Sequence, residues 1–396
     1  MPTQTIPNWW KKVKLGEVCL NITDWKHWDC NNEKDSWYYF ISCKDIYDWY
    51  IHYKNARQIT KKDFLGVHKR TKLEKGDILI TNSWTIGRLA IAKWNKVKYT
   101  TFQKSVAIVK PDKNKVNNIF LYYLLEYYKQ FLIHISLWTA QKNLLLKDLR
   151  NLSILLPPLP VQRKVASILS AYDELIENNN KRIKILESMG KAIFDDIMKQ
   201  AEEKGELEEV RIKNIVEKIS KKYKEEKHKD LPLLDLARIP RKSFNIQSFW
   251  KSDELKTWRI IFKKYDILFW SIRPYFHKVV YAPFEWITNV SVFVLRPKKD
   301  YLPSFALYTL FSDEIINFAN KASWWTKMPV IKWDVLSEKP IKLPPQQTLK
   351  NFNNQVKSIL DEILNLQLQN QNLKQTRDLL IPQLVSGRLD VEEMEI

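Results

Sequence analysis

The chain has 396 residues, with 65 Lys and Arg against 45 Asp and Glu, a net charge of +20 and a pI near 9.5. A hydrophobic content of 45% and an aromatic content of 13% exclude a disordered chain, and the length allows two or more domains. No apolar run approaches the ~20 residues that span a bilayer, and the start shows no apolar signal core. The charge favours a polyanionic partner, although a merely soluble basic protein would show it too.

The three cysteines form an odd set without C-x-x-C spacing, which predicts a reducing cytoplasm rather than a disulfide framework. His27 and Cys30 have metal-like spacing but lack two further ligands nearby, so no metal site is predicted. We expect a soluble cytoplasmic protein with no membrane partner and no cofactor.

Short strands separated by polar turns are predicted at the beginning of the chain. They are YYFIS (38–42), YIHY (50–53), DILIT (77–81), LAIA (89–92) and SVAIV (105–109). An aromatic-rich helix is predicted over residues 117–131, followed by Leu-Pro-Pro at 156–158.

Two long helices are predicted, over residues 161–200 and 346–384, because apolar residues recur in alternating steps of four and three. Each would be roughly 60 Å long at ~1.5 Å per residue. Asn179 and Asn370 interrupt the two seams, as register-fixing residues do in coiled coils. Ordinary helices of a domain core are the alternative. The predicted seams are Ile168, Tyr172, Leu175, Asn179, Arg182, Leu186, Met189 and Ile193, then Phe352, Val356, Ile359, Ile363, Leu366, Asn370, Leu373, Arg377, Leu380 and Leu384.

The chain repeats itself, because four segments recur in the same order at a near-constant offset. The pairs are KGDILITNSW (75–84) with KYDILFWSIR (264–273), SVAIVKP (105–111) with SVFVLRP (291–297), the aromatic segments 117–131 and 303–318, and 139–158 with 326–345, each ending in Leu-Pro-Pro.

The repeats predict an α/β (α+β) fold of two duplicated domains separated by two long antiparallel coiled-coil helices, with the chain ends close together. Such a spacer could hold two similar domains on two short DNA segments, which lie ~34 Å apart when separated by one helical turn. The predicted boundaries are 1–158 for the first domain, 159–203 for the first spacer helix, 204–345 for the second domain, and 346–396 for the second spacer helix with the C-terminal segment.

Four segments resemble the specificity subunit of type I restriction–modification enzymes. Two long ones, LPPLPVQRKVASILSAYDELIENNNKRIKILE (156–187) and LLIPQLVSGRLDV (379–391), are similar to its central and closing motifs, and WKKVKLGEVC (10–19) and KGDILITNSWTIG (75–87) look like motifs of its target-recognition domains. The resemblance covers nearly the whole chain. It implies two target-recognition domains that read a bipartite double-stranded DNA site, with helices that dock methyltransferase (modification) subunits, and through them restriction/translocase subunits. It also implies a non-catalytic chain.

Polar loop residues are the candidates for DNA contacts, because Lys and Arg bind phosphates and Arg, Lys, Asn, Gln and His bind base edges. A solvated surface charge is the alternative for each of them. In the first domain they are Lys26, His27, Arg57, Lys69, Arg70, Arg88, Gln103 and Lys104. In the second domain they are Arg238, Arg241, Lys242, Arg273, Tyr275, His277, Lys278 and Asn289.

The helix segment 172–187 is richer in polar residues than pairing with one helix requires. We therefore predict that the outer faces dock methyltransferase subunits, two in number, one near each recognition domain. A plain solvated helix face is the alternative. The candidate docking residues are Tyr172, Asn178, Asn180 and Arg182.

No catalytic residues are predicted. The chain has no G-x-x-x-x-G-K-[ST] phosphate loop, and PDK (111–113) lacks the paired acidic strand of a nuclease site. Two rival functions remain: a coiled-coil scaffold that binds proteins, and a stand-alone nuclease or methyltransferase. Binding to DNA phosphates weakens with salt, whereas scaffold binding would not.

Tryptophan stands where turns call for glycine. Trp49 follows Asp48 between two predicted strands, and Trp94 precedes Asn95 between two more. The 7 Gly are about 2% of the chain, whereas Gly and the 16 Trp together make about 6%, near the ordinary share of Gly. The segments ASWWTKMPVIKWD and TDWKHWDC likewise resemble family segments with Gly in place of Trp.

The hypothesis is that many of these codons are UGA, read as glycine in the cell but translated here as tryptophan. On this hypothesis the chain as written binds DNA poorly, and glycine at 84, 138, 270, 324, 325 and 333 improves binding. Stacking platforms for unpaired bases and genuine core tryptophans, such as Trp9 or Trp10, are the alternatives.

Overall fold

The structure is a computed structural model of the chain. It describes residues 9–24, 29–47, 49–93, 95–137, 143–221, 231–234, 238–244, 246, 259–323 and 328–391. The chain divides into two compact units, Met1–Asp173 with Gln375–Ile396, and Glu174–Lys374. Among the described residues, no helix is long and apolar enough to cross a membrane.

Among its described residues, the first unit combines short strands with four short helices. Its strands are β1 (Lys11–Lys14), β2 (Cys19–Asp24), β3 (Tyr39–Ile41), β4 (Ile46–Tyr47), β5 (Tyr50–Ile51), β6 (Arg57–Gln58), β7 (Ile78–Thr81), β8 (Leu89–Ile91), β9 (Thr100–Phe102), β10 (Val106–Pro111) and β11 (Ser153–Leu156). Its short helices are α1 (Lys61–Thr71), α2 (Asn118–Tyr127), α3 (Lys129–Ser136) and α4 (Leu146–Asn151). The five strands predicted from the sequence are confirmed, with shifts of at most two residues at their ends.

The second unit repeats this plan. Its described strands are β12 (Glu208–Arg211), β13 (Val216–Ile219), β14 (Leu233–Leu234), β15 (Arg259–Phe262), β16 (Ile267–Trp270), β17 (Val279–Tyr281), β18 (Trp286–Asn289), β19 (Val292–Pro297) and β20 (Pro340–Leu343). Its described short helices are α6 (Ile212–Ile215), α7 (Pro303–Phe311), α8 (Asp313–Ala322) and α9 (Trp333–Ser337).

The sheet order confirms the duplication. An antiparallel four-stranded sheet runs β2-β10-β7-β8 in the first unit and β13-β19-β16-β17 in the second. A two-stranded antiparallel ribbon, β1-β11 or β12-β20, lies just before each long helix. The central strands β7, β10, β16 and β19 are almost continuously apolar and buried, as strands covered on both faces must be.

Each predicted aromatic-rich helix is in fact two helices. Residues 117–131 divide at Tyr128 between α2 and α3, and residues 303–318 divide at Ser312 between α7 and α8. Ser312 adopts an extended conformation and accepts a hydrogen bond from the Ile315 N–H, which starts a new helix. The prediction of one helix was wrong because apolar periodicity does not detect a capping residue inside the run.

The two long helices are confirmed as α5 (Leu159–Glu203) and α10 (Gln346–Val385). They run antiparallel within each unit. In the second unit Arg182 pairs with Glu362 at 2.8 Å while Asn179 donates to Gln369 at 3.4 Å, and in the first unit Arg377 pairs with Asp173. Each predicted Asn interruption bonds a residue next to the other one, because Asn179 donates to Gln369 and Asn370 donates to Asn180 at 3.1 Å.

The predicted seam of α5 is only in part the buried face, because Asn179 is buried and Ile168, Leu186 and Ile193 pack against the core while other predicted positions are exposed. Leu175 and Met189 are 52% and 48% exposed, whereas Leu169, Ile176 and Ile183 are buried. The buried face of α5 packs on its domains as well as on α10, so two surfaces select the register. On α10 the predicted Phe352, Val356, Ile363, Leu366, Asn370 and Leu384 are buried, which confirms most of that seam.

Candidate nucleic-acid interface

Three loops meet at one edge of the four-stranded sheet in the first unit. We call residues 82–88, 103–105 and 143–145 the first loop cluster. The Asn82 N–H donates to the Ser105 carbonyl at 3.0 Å, and the Leu144 N–H donates to the Asn82 carbonyl at 2.8 Å. These two hydrogen bonds hold the end of β7, the turn before β10 and residues 143–145 together as one surface.

The second unit builds the same arrangement. The second loop cluster comprises residues 271–278, 289–291 and 328–331. The Ser271 N–H donates to the Ser291 carbonyl at 3.1 Å, and the Ile331 N–H donates to the Ser271 carbonyl at 3.0 Å. Ser271 follows β16 as Asn82 follows β7, so the duplication preserved the hydrogen bonds that hold these loops.

Three candidates of the first domain lie in the first loop cluster. Lys104 is exposed, while Gln103 and Arg88 are half-buried. The Arg88 guanidinium donates to the Cys43 carbonyl at 3.3 Å, which orients it without neutralising its charge. The cluster therefore presents two cations and an amide, which are groups that contact phosphates and base edges.

The other candidates of the first domain lie elsewhere. Arg57 donates to Asp29, Asn32 and the Cys30 carbonyl, and this network occupies its guanidinium. Lys69 is exposed on α1, and the side chain of Arg70 lies outside the described residues, as do Lys26 and His27.

Arg273, Tyr275 and Asn289 of the second domain lie in the second loop cluster. Tyr275 is 50% exposed, and Arg273 and Asn289 are half-buried. Arg259 pairs opposite Asn289 in the β15–β18 ladder and donates to its side-chain oxygen. Arg259 was not predicted from the sequence, because nothing in the sequence places it opposite Asn289.

His277 and Lys278 belong to the second loop cluster but are buried, which corrects their selection as surface contacts. The His277 imidazole bonds the Phe311 carbonyl through Nε2 at 2.7 Å, and burial lowers its pKa. Strand β17 begins directly after Lys278 and draws both residues into the fold, which a sequence rich in polar residues did not indicate. Neither residue belongs to the proposed interface.

The remaining candidates of the second domain lie between residues 238 and 242. Arg241 is exposed and its guanidinium lies 4.0 Å from the centre of the Phe276 ring. Lys242 is exposed and lies 3.7 Å from Asp313. Arg238 is half-buried. Phe276 belongs to the second loop cluster, so Arg241 adds a cation to that surface.

An open cleft of about 410 Å³ borders the second loop cluster. Exposed Lys218 and Lys332 line it, together with Ser271 and Trp333. These lysines were not predicted as contacts, since nothing in the sequence places residues 218 and 332 beside one another.

The predicted docking residues divide between two roles. Arg182 binds Glu362 and Asn180 accepts from Asn370, so both contact α10. Asn178 is exposed and Tyr172 is half-buried. Asn178 and Tyr172 are the better candidates for contacts with a partner.

The duplicated domains thus present two similar loop clusters, which are candidate recognition surfaces. The family model described as the type I restriction modification DNA specificity domain matches residues 7–188 and again 204–376. The chain therefore belongs to this family, whose members recognise DNA and are not catalytic.

Similar proteins span the same length. The type I restriction enzyme MjaIX specificity subunit of Methanocaldococcus jannaschii is 28% identical over 98% of this chain and 95% of its own. The MjaVIII specificity subunit of the same organism is 23% identical over the same shares. The crystal structure of the type I restriction–modification S subunit from M. genitalium has a TM-score of 0.60 at 16% identity, covering 97% of this chain and 98% of its own, which shows a common fold.

Proposed function

We propose that the chain is the specificity subunit of a type I restriction–modification system and that each loop cluster contacts one half of a bipartite duplex site. The observation that supports this most directly is the matched hydrogen bonding of the two clusters, Asn82 to Ser105 and Ser271 to Ser291. Equivalent scaffolds with different side chains suit a protein that reads two different short sequences.

The chemistry of the side chains supports duplex DNA as the ligand. Arg88 and Arg273 lie in corresponding hairpin loops, and arginine pairs bidentately with guanine. Gln103 and Asn289 precede the corresponding central strands, and amides pair with adenine. The net charge of +20 supplies long-range attraction to phosphates. DNA as the ligand makes the cytoplasm the proposed location.

We further propose that two methyltransferase subunits dock on the long helices, near Tyr172 and Asn178, and that restriction subunits join through them. Asn178 is exposed on a segment whose neighbours Asn180 and Arg182 already bind α10. Co-purification tests the docking, with Asn178→Arg expected to weaken the complex. Failure of the unaltered chain to form any complex larger than itself would contradict it.

Salt-dependent binding to a labelled random-sequence duplex tests the DNA contacts. Replacing both Arg88 and Lys104 by Ala should weaken binding and reduce the slope of log K against log salt by about 0.9 for each phosphate that is no longer bound. The matched control, Lys61→Ala with Lys62→Ala, removes the same charge from exposed positions on α1. Equal effects of the two double variants would contradict a specific role for the first loop cluster.

A protein-binding scaffold is the alternative function. Its interactions would depend little on salt and would not require Arg88 or Arg273. Salt-insensitive binding of the chain to DNA, or none at all beside its methyltransferase partner, would favour that alternative.

A further inference from the structure

Three tryptophans occupy backbone conformations that side chains rarely adopt. Trp37, Trp49 and Trp84 have φ values of 66°, 70° and 63°. Only a few per cent of residues other than glycine have positive φ, chiefly Asn, Asp and His, and a bulky side chain there is an outlier. Three such outliers of one residue type in one chain require a common explanation.

Position 49 lies in a two-residue hairpin. Tyr47 pairs with Tyr50 in the β4–β5 ladder, so Trp49 lies in the two-residue connection between these strands. The favoured two-residue turn has positive φ at both positions and is typically Asp-Gly or Asn-Gly. The residue before Trp49 is Asp48. The turn thus has the sequence context of Asp-Gly with an indole at the glycine position.

The indole N–H of Trp49 also lacks an acceptor among the described residues. Its Nε1 is buried without a hydrogen bond there, while the ring packs against Tyr122 and Tyr123 at centroid distances of 4.9 and 5.3 Å and lies 3.8 Å from the Lys93 ammonium. A buried tryptophan N–H normally has an acceptor, and leaving a donor without one costs free energy. Neither the backbone nor the donor of residue 49 suits tryptophan.

Position 84 shows that the fold imposes the backbone conformation. Trp84 is at the tip of the β7–β8 hairpin and its side chain is 89% exposed, so the indole gains almost no burial. Arg273 lies at the equivalent position of the second copy and has a φ of 51°. Nearby, Gly76 and its equivalent Tyr265 have φ values of 94° and 73°. The left-handed conformation recurs whatever the residue is.

At position 37, too, the fold uses the backbone of the residue and not its indole. Its side chain is 67% exposed, and its N–H donates to the Gln58 side chain at 2.8 Å, a hydrogen bond that needs only the backbone of residue 37. Trp10 differs, because its backbone is outside the left-handed region, although its buried Nε1, like that of Trp49, has no hydrogen-bond partner among the described residues. Backbone conformation therefore separates Trp37, Trp49 and Trp84 from Trp10.

We infer that residues 37, 49 and 84 are glycine in the protein as its cell makes it, and that the codon at each is UGA. UGA differs from the glycine codon GGA and from the tryptophan codon UGG by one base each. The three assignments raise the glycine count of the chain from 7 to 10 and lower the tryptophan count from 16 to 13. Residue 10 remains tryptophan.

Peptide mass spectrometry of the protein from its natural source tests the assignment directly. The expected masses have glycine at 37, 49 and 84 and tryptophan at 10. Tryptophan at 37, 49 and 84, or UGG codons there, would overturn the inference.

Paired substitutions in the chain as written test the physical argument. Trp84→Gly should raise the folding equilibrium constant about fivefold over Trp84→Ala, because both remove the indole but only glycine removes the Cβ from a left-handed residue. Trp37→Gly should exceed Trp37→Ala similarly, while Trp10→Gly should destabilise. Equal stability of the Gly and Ala variants at both positions would contradict the argument.

Discussion

The two units pack against their long helices through different residues at equivalent positions. In the first unit Tyr123 donates from Oη to Asp173 at 2.6 Å, and Arg377 binds the same carboxylate. Asp173 and Tyr123 are buried, and burial raises the pKa of Asp173 against the opposing attraction of Arg377. A residue of α10 thus supplies the charge that a buried carboxylate of α5 requires.

In the second unit, uncharged residues occupy the positions of this charged pair. Counted from the starts of the equivalent helices, Tyr308 corresponds to Tyr123, Leu360 to Asp173, and Gly190 to Arg377. The Tyr308 hydroxyl is buried, and no described residue forms a hydrogen bond with it. A Cβ at Gly190 would lie 2.8 Å from Tyr308 Cζ and would overlap the hydroxyl.

Duplication therefore preserved the position of the long helix that packs on each domain, while the residues at the contact changed. An arginine at the place of Gly190 would overlap Tyr308, so the second unit has no space for it. Glycine at the place of Arg377 would leave Asp173 buried and unpaired. Gly190 and Arg377 therefore cannot replace each other.

Removing the charge of Arg377 should have the largest effect. Arg377→Met keeps much of the volume but leaves Asp173 without its counter-charge, so we expect a loss of about 3 kcal/mol in the free energy of unfolding of the first unit. Urea denaturation with hydrogen exchange resolved by domain measures it. Asp173→Leu combined with Arg377→Met imitates the second unit and should restore most of the loss. A double variant as unstable as the single one would contradict the electrostatic account.

Adding one methyl group to α5 should have the next largest effect. Gly190→Ala ordinarily stabilises a helix interior by about 1 kcal/mol. Here the Cβ collides with the buried Tyr308 ring, so we expect a net destabilisation of about 2 kcal/mol. Gly66→Ala on α1 is the control, because nothing lies within 4 Å of its Cβ position. Stabilisation by both substitutions would contradict this account, because it would show that the Tyr308 ring moves aside without a cost in free energy.

Removing the equivalent tyrosine hydroxyls should have opposite signs. Tyr123→Phe loses a hydrogen bond to a carboxylate and should destabilise by about 1.5 kcal/mol. Tyr308→Phe removes a buried hydroxyl without a partner and should stabilise by up to about 1 kcal/mol. Thermal unfolding of the two variants compares them directly, and a shift of the same sign in both would contradict the comparison.

Lowering the pH should produce the smallest effect on the free energy of unfolding. Burial lowers the pKa of His277, which faces Asp313, Lys242 and the Phe311 carbonyl, and burial also lowers the pKa of His68 in the first unit. Because the unfolded state binds the proton more readily, the stabilising contribution is present above pH 6.5 and is lost as the pH falls through the lowered values. His277→Gln should reduce this loss in the second unit only. An unchanged pH profile would contradict the assignment.

Much of the fold could be predicted from the sequence. Internal similarity and apolar periodicity predicted two copies and two helices, and helix ends at Leu159 and Val385 agree with those predictions. Which part of the α5 seam is buried could not be predicted, since periodicity does not say which of two competing surfaces a helix buries. The capping role of Ser312 depends on a backbone conformation that composition does not show.

The candidate site divides in the same way. The loop positions of Arg88 and Arg273 could be predicted because each lies between two recognisable strand segments. His277 and Lys278 could not be separated from exposed residues, since only the start of β17 determines that they are buried. Arg259 escaped notice because its role depends on a cross-strand neighbour far along the chain.

Selection from a random duplex pool tests the central claim most directly, with the chain bound to its methyltransferase subunits. We expect a split consensus of two short half-sites separated by a fixed spacer. Arg88→Ala should relax one half-site alone and Arg273→Ala the other alone. Loss of sequence preference in both half-sites with either variant, or a single uninterrupted consensus, would contradict the account in which each loop cluster reads one half of the site.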